Sequence, residues 1–318
     1  MFVAGAATIG IGSGALAACL SRPDALAALT LIPAWCWPLA GVTATIPAWR
    51  IRGRRMACAI SVLWIAFAIG WAEDFSSAAR SVGAIFNSKP ALRSTTLRIV
   101  SLNCDSNASC LADLQRTNPD IVLLQEAPGV PVLTDIARQL YGDTGRFLSG
   151  GDTAILARGV IQQQFADRSA HFVSGKILLE GGPSVQCICL RLAPPPSRLD
   201  FWNGGFWSEH RDLRNVHRRQ LRQIMNHIES LAASQPLIVG GDFNATGLDT
   251  ALDELRPTLA DAFVRHGTGW GATGTNDWPL FRVDQVWTDS RLRPIRVYAR
   301  KTKSSDHRLV ICDAIVRE

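Results

Sequence analysis

Three long runs without a charged residue open this chain of 318 residues. They cover residues 1–20, 25–49 and 56–72. A membrane-spanning helix needs about 20 mostly apolar residues, so runs of this length match the core of a bilayer. We therefore predict a transmembrane region over residues 1–75. Its helices are expected at about residues 2–20, 26–49 and 56–73.

Two alternatives compete with this interpretation. A cleaved signal peptide would use the small residues Ala17-Ala18-Cys19, but no basic residue follows Met1 and two more apolar runs come later. A buried bundle of a soluble protein would need helices with a polar face, which uncharged runs of this length do not supply. Both alternatives are therefore less favoured than a membrane region.

The link between the second and third runs carries four arginines, Arg50, Arg52, Arg54 and Arg55. Because short cytoplasmic loops are enriched in Lys and Arg, this link is expected in the cytoplasm. The chain after Glu73 then lies outside, which predicts a multi-pass protein of the cell (inner) membrane with a periplasmic or extracellular domain. Residues 76–96 have a weak apolar pattern and are predicted to be a linker.

Residues 97–318 alternate between strand-like and helix-like segments, which predicts an α/β domain with layered sheets. Most of the formal net charge of +6 lies before residue 91, so the strongly basic surface of a nucleic-acid-binding domain is absent. Strands are expected at residues 97–103, 121–124, 153–156, 176–180, 185–192, 237–240, 281–287 and 309–316, and helices at 109–118, 132–140 and 212–233.

Five cysteines fall in this domain, and no Cys-x-x-Cys pair occurs, which argues against a zinc site. An oxidising compartment would permit a bridge between Cys104 and Cys110. The favoured alternative is that these cysteines are small buried apolar residues.

Acidic and amide residues follow the predicted strands at the points where the strands end. Loops at sheet ends commonly gather ligand groups. Carboxylates and amides with a single His suit a hard cation such as Mg²⁺. These residues are Asn103 and Asp105, Glu126, Asp242 and Asn244 in Gly240-Gly241-Asp242-Phe243-Asn244, Asp284, and the pair Asp306-His307.

In this order the motifs resemble those of the endonuclease/exonuclease/phosphatase superfamily, across residues 97–318. The resemblance implies a two-sheet α/β/β/α sandwich and a metal-dependent attack of water on a phosphoester. The apolar helices before the domain also resemble membrane-anchored bacterial members, including those associated with teicoplanin resistance. The matching residues are Asn103, Gln125-Glu126, Gly241-Asp242-Phe243-Asn244, Asp284 and Ser305-Asp306-His307.

The resemblance implies that Glu126 is the principal ligand of Mg²⁺, with Mn²⁺ as an alternative ion. Asn103, Asp105 and Asp306 are expected around the ion. Mg²⁺ keeps several of its waters, so not all four residues need bind it directly. Asp105 could equally cap the loop that follows it.

The resemblance also implies four catalytic roles. Asp242 is expected to orient or deprotonate the attacking water, and Asn244 to hydrogen-bond a phosphoryl oxygen. His307 is expected beside the phosphate, held by Asp284. A neighbouring carboxylate favours the charged imidazole, so the pKa of His307 is expected to be raised.

One position departs from the family pattern. Arg191, in Cys189-Leu190-Arg191-Leu192, stands where the family usually has a His. A guanidinium does not release its proton near neutral pH, but its fork of donors can bind phosphate. Three outcomes remain open: metal and water handle the leaving group, activity is weak, or the domain only binds a phosphate-bearing ligand.

Two aromatic segments are expected to flank the site, residues 201–207 and a stretch that holds Trp270 and Trp278. Such rings could stack bases, line a lipid pocket, reach a bilayer interface or simply pack. We favour a lipid-linked phosphoester as substrate, with nucleic acid a less favoured partner. A membrane-tethered phosphoesterase, an inactive phospholigand-binding module and a membrane scaffold are the three hypotheses, and the complete motif set favours the first.

Overall fold

The computed structural model describes residues 21–50, 54–71, 73–86, 96–166, 171–231 and 235–317. The first predicted membrane helix, at residues 2–20, lies outside the described residues. The same is true of link residues 51–53 and of the last part of the predicted linker, up to residue 95.

The second apolar run is not one helix. It forms a 3-10 helix, Asp24–Leu31, and then helix α1, Cys36–Arg50, which are bent by 84° relative to each other. The prediction of an uninterrupted helix over residues 26–49 is therefore wrong; Pro33, which has no backbone N–H, lies at the break.

The third apolar run forms helix α2, Arg54–Trp71, which packs on α1 so closely that a Cβ on Gly41 would lie 2.1 Å from the Trp64 ring. Within the described residues, no single helix has the length and apolar character needed to cross a bilayer. The bent pair of Asp24–Leu31 and Cys36–Thr43 meets that requirement when its two parts are taken together.

The predicted linker begins inside a helix. Helix α3, Glu73–Phe86, covers residues 76–86 and docks on the domain. Ser77 Oγ donates to the carbonyl of Gly269 at 2.8 Å, and Arg80 Nε donates to the carbonyl of Gly267 at 2.7 Å. The contact face of α3 is polar, which explains why an apolar pattern did not reveal the helix.

The rest of the described chain contains eleven strands in one curled, mixed sheet, in the order β10-β11-β1-β2-β4-β5-β6-β7-β9-β8, with β3 beside β4. Pairs β1–β2 and β6–β7 are parallel, and the other pairs are antiparallel. The strands are β1 Thr96–Asn103, β2 Ile121–Gln125, β3 Gly145–Gly150, β4 Thr153–Ala166, β5 Phe172–Leu179, β6 Ser184–Arg191, β7 Leu237–Asp242, β8 Ala260–Asp261, β9 Asp284–Thr288, β10 Leu292–Arg300 and β11 Leu309–Val316.

Strand β4 passes from one half of the sheet to the other. Its first part pairs with β2 and β3, and from Gly159 onward it pairs with β5. Gly159 has φ 130°, and a Cβ there would lie 2.1 Å from the carbonyl oxygen of Leu178, so only glycine fits at this point of the strand. The two halves then face each other, and both contribute to one buried apolar core.

Helices cover the outer faces of the sheet. Helices α4, Cys110–Gln115, and α5, Val130–Tyr141, pack on the half that holds β1 and β2. Helix α6, Gly204–Ser230, packs on the half that holds β6 and β7. This layering agrees with the α/β sandwich expected from the sequence. Helix α7, Ala262–His266, and two 3-10 helices, Gly142–Thr144 and Thr250–Glu254, complete the described elements.

Helix α6 begins earlier than predicted, because Asn203 caps it by accepting from the N–H of Gly205 at 2.8 Å. The expected aromatic loop at residues 201–207 is therefore mostly the start of a helix. Phe206 is fully buried, whereas Trp202 is 88% exposed. The five domain cysteines are buried and free, which agrees with the favoured reading of them as apolar residues.

Ion pairs hold the N-terminal segment on the domain. Arg282 is almost fully buried; it donates to both carboxylate oxygens of Glu73, at 2.7 and 2.8 Å, and to Asp261 at 2.6 Å. Asp24 accepts two hydrogen bonds from Arg218, at 2.6 and 2.7 Å. A buried charge that loses its partner is strongly destabilising, so the pair of Arg282 with Glu73 specifies how the segment docks.

We expect Glu73→Ala to lower the free energy of unfolding by about 2 kcal/mol or more, since it removes one of two carboxylates from a buried guanidinium. Glu254→Ala is the control, because its partner Arg222 is 62% exposed and such surface pairs contribute about 0–1 kcal/mol. Urea unfolding of the full chain in detergent measures both. Equal losses for the two variants would contradict the docking role of Glu73.

Candidate active site

The polar residues at the strand ends meet at one edge of the curled sheet. Asn103 ends β1, Asp242 ends β7, and Asp284 begins the neighbouring antiparallel strand β9, opposite Asp242. Asn103 Nδ2 donates to Glu126 Oε1 at 2.9 Å and to Asp242 Oδ2 at 3.2 Å. The amide of Asn103 thus connects the two halves of the sheet at the site.

The backbone at this edge is strained. Asp105, Glu126 and Asn244 have φ of 48°, 47° and 47°, a left-handed conformation that costs a non-glycine residue roughly 1 kcal/mol or more. Gly241 has φ 148°, and a Cβ there would lie 1.9 Å from the carbonyl oxygen of Leu190. Such strain is concentrated at functional sites, where it aims side chains that ordinary strand ends would point elsewhere.

Asp242 is buried and is surrounded by donors. Its Oδ1 accepts from the N–H of Asn244 at 2.9 Å, and its Oδ2 accepts from Asn103 Nδ2 and Asn244 Nδ2, both at 3.2 Å. Burial and the charge of Asp284 nevertheless raise the pKa of Asp242 to about 7. A carboxyl with this pKa can take up or release a proton near neutrality, as a general base requires.

Asn244 does not offer a free amide N–H. Its Nδ2 donates to the carbonyl of Leu192 at 2.9 Å as well as to Asp242. An amide nitrogen has two protons, and both are engaged. The geometry therefore places Asn244 as the residue that holds Asp242, whereas contact with a phosphoryl oxygen stays a prediction.

His307 pairs with Asp284, as the resemblance implies. Its Nδ1 lies 2.8 Å from Oδ2 of Asp284, and the N–H of Asp284 donates to Thr273 Oγ1 at 3.0 Å. Burial lowers the pKa of His307, but the charge and hydrogen bond of Asp284, followed by the charges of Asp242 and Asp306, outweigh it and raise the pKa to about 10. His307 is therefore cationic at neutral pH, which agrees with the predicted direction.

A short loop fixes the backbone of His307. Its N–H donates to Ser305 Oγ at 2.9 Å, and Ser305 Oγ donates to the carbonyl of Asn103 at 2.6 Å. Thr302 Oγ1 donates to the carbonyl of His307 at 2.7 Å. Thr273 and Thr302 could not be predicted from the sequence, because each supports the site through a single hydroxyl and neither belongs to a strand-end motif.

Arg191 contacts Glu126, the predicted metal ligand. It donates to Glu126 Oε1 and to Asp152 Oδ2, both at 2.6 Å. Burial lowers the pKa of Arg191, but the hydrogen bond to Asp152 and the charges of Glu126, Asp152 and Asp242 outweigh it and raise the pKa. A permanent cation of the chain itself thus neutralises Glu126. Asp152 was not predicted, since it sits in a turn between β3 and β4 with no motif around it.

Four other predicted residues lie at the rim or beyond it. Asp105 and Asp306 are exposed, and their carboxylates accept no hydrogen bond from the described residues. Trp270 donates to the carbonyl of Pro279 and lies 6.3 Å from the ring of Trp35, so it packs against the N-terminal segment. Trp278 is 83% exposed.

The donor chemistry fits a hard divalent cation. Within the described ranges, one group of side chains has ligand atoms that all lie within 4.8 Å of one another: Asp242, Asp284 and His307, which were predicted as catalytic residues. Because His307 is cationic and paired with Asp284, its ring is not a metal ligand, and only the two carboxylates of this group can face a cation. Oδ1 of Asp284 is buried without a hydrogen-bond partner. Glu126 is separated from Asp242 only by the amide of Asn103. Carboxylate and amide oxygens of this kind are the ligands that Mg²⁺ prefers.

Comparisons with known proteins agree with this geometry. The sequence profile of the Endonuclease/Exonuclease/phosphatase family matches residues 100–307. Among curated proteins, none matches the chain significantly.

Solved structures share the fold at low sequence identity. An endonuclease/exonuclease/phosphatase family protein from Bacteroides thetaiotaomicron has a TM-score of 0.56 at 14% identity and covers 70% of this chain and 99% of its own. A mannosyl-6-phosphatase from the same organism scores 0.54 at 15% identity, covering 69% and 99%. D. rerio TDP2 complexed with a single-strand DNA product scores 0.52 at 16% identity, also covering 69% and 99%.

Asp242→Asn should change how stability depends on pH. The carboxyl has a pKa of 3.8 when unfolded and about 7 when folded, so wild-type stability falls as pH rises through that window. The stability of the Asn variant does not fall in this way, because its amide does not titrate. Its Tm relative to wild type should therefore rise between about pH 4 and pH 7, by roughly 2–4 °C for each kcal/mol of the penalty removed. A Tm difference between variant and wild type that does not vary with pH would contradict the raised pKa. Hydrogen bonds lost in the variant change Tm by the same amount at every pH, so they do not affect this comparison.

Asp284→Asn should lower the pKa of His307 from about 10 toward its ordinary value, because the variant removes the nearest negative charge. In wild type, the stability that this pair contributes is fully present below about pH 6.5 and is lost as pH rises through about 10. NMR titration of the His307 ring measures the shift. Thr273→Val is the control, since it leaves the carboxylate in place, and an unchanged His307 midpoint in Asp284→Asn would refute the pairing.

Proposed function

This chain belongs to the endonuclease/exonuclease/phosphatase family, and we propose that it is a divalent-metal-dependent phosphoesterase whose active site contains Asp242, Asp284 and His307. Enzymes of this family hydrolyse phosphoester bonds and generally use divalent metal ions. The observation that supports this function most strongly is geometric: ligand atoms of Asp242, Asp284 and His307 all lie within 4.8 Å of one another at the edge of the sheet.

Each side chain at the site has a different role in the proposed hydrolysis. The imidazolium of His307 is suited to bind a phosphoryl oxygen whose negative charge grows in the transition state. Asp242, once ionised, can accept a proton from the attacking water. Asn103 and Asn244 keep its carboxylate in place, and Asp284 keeps His307 charged and correctly turned.

A divalent ion, Mg²⁺ or Mn²⁺, would be held by Glu126, with Asn103, Asp105 and Asp306 around it. When bound, the ion supplies a Lewis acid that polarises the phosphoryl group. Arg191 competes for the same carboxylate, because it already donates to Glu126. Asp152 gives Arg191 a second anchor, so the guanidinium can leave Glu126 without losing its only partner.

We propose further that the protein is membrane-tethered, with the domain outside the cytoplasm, like the teicoplanin-resistance type of membrane-anchored member. Helix α2 supports this, since Val62, Leu63, Ile65 and Ile69 are each more than half exposed. An exposed apolar face of this kind suits a membrane or another apolar partner. A lipid-linked phosphoester, such as a phospholipid headgroup or a polyprenyl diphosphate, is the substrate that a tethered site could reach.

An extracytoplasmic nuclease is the second candidate. The exposed ring of Trp278 favours it, because its loop runs beside the site: Gly274 forms a backbone bridge with His307. Aromatic rings of this kind stack on bases without sequence preference. The small net charge of the domain disfavours it, since nucleic-acid affinity depends largely on positive charge.

A panel of phosphoesters tests the function. The full chain in detergent is assayed on p-nitrophenyl phosphate, bis-p-nitrophenyl phosphate and an alkyl diphosphate, with Mg²⁺, Mn²⁺ or EDTA. We expect hydrolysis that EDTA abolishes and that His307→Ala lowers by a factor of order 10² or more. Binding of these esters without turnover under any condition would leave the inactive binding module as the better account.

Two variants should move the metal requirement in opposite directions. Glu126→Gln removes a charged ligand, so half-maximal activity should need more Mg²⁺. Arg191→Ala removes the competing cation, so Mn²⁺ should bind more tightly, as measured by electron paramagnetic resonance of the free ion. Metal affinity that is unchanged in both variants would show that the ion is held elsewhere.

A further inference from the structure

An apolar cavity of about 320 Å³ adjoins the active site. It lies between the 3-10 helix Asp24–Leu31 and helix α6, and Asn244 lines its catalytic end. Its walls include Leu31, Leu199, Leu213 and Phe281. This volume falls within the range of small-molecule sites.

The charged groups at this cavity are already paired. Arg198 contacts Asp200 and Glu209, and Arg214 contacts Asp24 and Asp249. A second phosphate or a carboxylate in the cavity would therefore find no unpaired cation among these groups. The cavity favours an uncharged, apolar ligand group instead.

Two histidines in the wall are neutral. His210 Nε2 and His217 Nδ1 are buried and have no hydrogen-bond partner. Burial lowers the pKa of both residues, so neither adds positive charge to the cavity at neutral pH. Neutral His217 uses its Nε2–H on the carbonyl of Ala193, so its Nδ1 can only accept a hydrogen bond. Nε2 of His210 can instead donate to a single ester or ether oxygen near the head of an apolar chain.

The cavity touches both a site residue, Asn244, and the N-terminal segment. Asn244 both lines the cavity and donates to Asp242. Ala27, Thr30 and Leu31 form the opposite wall, and they belong to the bent apolar pair of helices. The cavity therefore lies between the residue that holds Asp242 and the part of the chain suited to a bilayer.

We propose that this apolar cavity binds the hydrocarbon chain of the phosphoester substrate. The inference rests on the proposed function and narrows it, because it requires a substrate in which a hydrocarbon chain lies close to the phosphate. A straight acyl or alkyl chain and a branched isoprenoid chain share this chemistry.

Binding of alkyl phosphonates, which are not hydrolysed, tests the proposal apart from catalysis. Dissociation constants of ethyl, butyl and octyl phosphonate are measured by calorimetry on the full chain in detergent, with Mg²⁺ present. Each buried methylene should tighten binding roughly fourfold, the ratio that about 0.8 kcal/mol corresponds to. Leu213→Asn should flatten this dependence on chain length while leaving ethyl phosphonate binding unchanged.

A second cavity variant and a control variant complete the test. Leu199 is 67% exposed, so Leu199→Asn should fold normally and still weaken octyl phosphonate binding severalfold. Val160→Asn is the control, because Val160 is 52% exposed on β4 and does not line the cavity. Partitioning of octyl phosphonate into detergent is the same for every variant, so it cancels from the comparison.

The outcomes separate this proposal from the proposed function. The cavity proposal is overturned if short phosphoesters are hydrolysed but binding does not depend on chain length. It is also overturned if octyl phosphonate binds equally well to Leu213→Asn, Leu199→Asn and wild type. Either result leaves the proposed enzyme activity intact. Absence of hydrolysis with the chain-length dependence preserved would overturn the enzyme and keep the lipid site. Geranyl and octyl phosphonate, which share an eight-carbon main chain, then distinguish isoprenoid from straight-chain ligands, and preference for either one supports the proposal.

Discussion

Asp242 and Asp284 lie opposite each other on neighbouring antiparallel strands, and both are buried. Two carboxylates this close cannot both ionise without a compensating positive charge. His307 supplies that charge through its 2.8 Å contact with Asp284, while burial and the charge of Asp284 raise the pKa of Asp242 to about 7. The chemistry available to the site follows from this one arrangement of three buried groups.

The rest of the molecule keeps this arrangement in place. Asn103 ties Asp242 to Glu126 across the two halves of the sheet, and Arg191 balances the charge of Glu126. Arg282, two residues before Asp284 in the sequence, connects the start of β9 to Glu73 in the N-terminal helices. The position of the N-terminal segment is therefore linked to the edge that holds the candidate active site by an ion pair, and also by the apolar cavity that Asn244 and the segment both line.

The strand-end residues could be predicted from the sequence, because buried strands appear as apolar runs and the site residues follow them directly. Strands β3 and β10 were not predicted, since glycines bound the first and Pro294 with three arginines interrupts the second. An uncharged run indicates an apolar environment, but it does not show whether one continuous helix forms. The 84° break between the 3-10 helix and α1 could therefore not be predicted. The pairing of Arg191 with Glu126 and Asp152 joins residues far apart in the chain, and no local pattern encodes it.

The central claim is that burial beside Asp284 makes Asp242 titrate near neutrality. Carbon-13 NMR of the Asp242 carboxyl, in the metal-free full chain, measures its pKa directly. The account predicts a midpoint near pH 7 that falls when Asp284 is replaced by Asn. A midpoint close to the ordinary value of 3.8, or one that ignores the replacement, would contradict it.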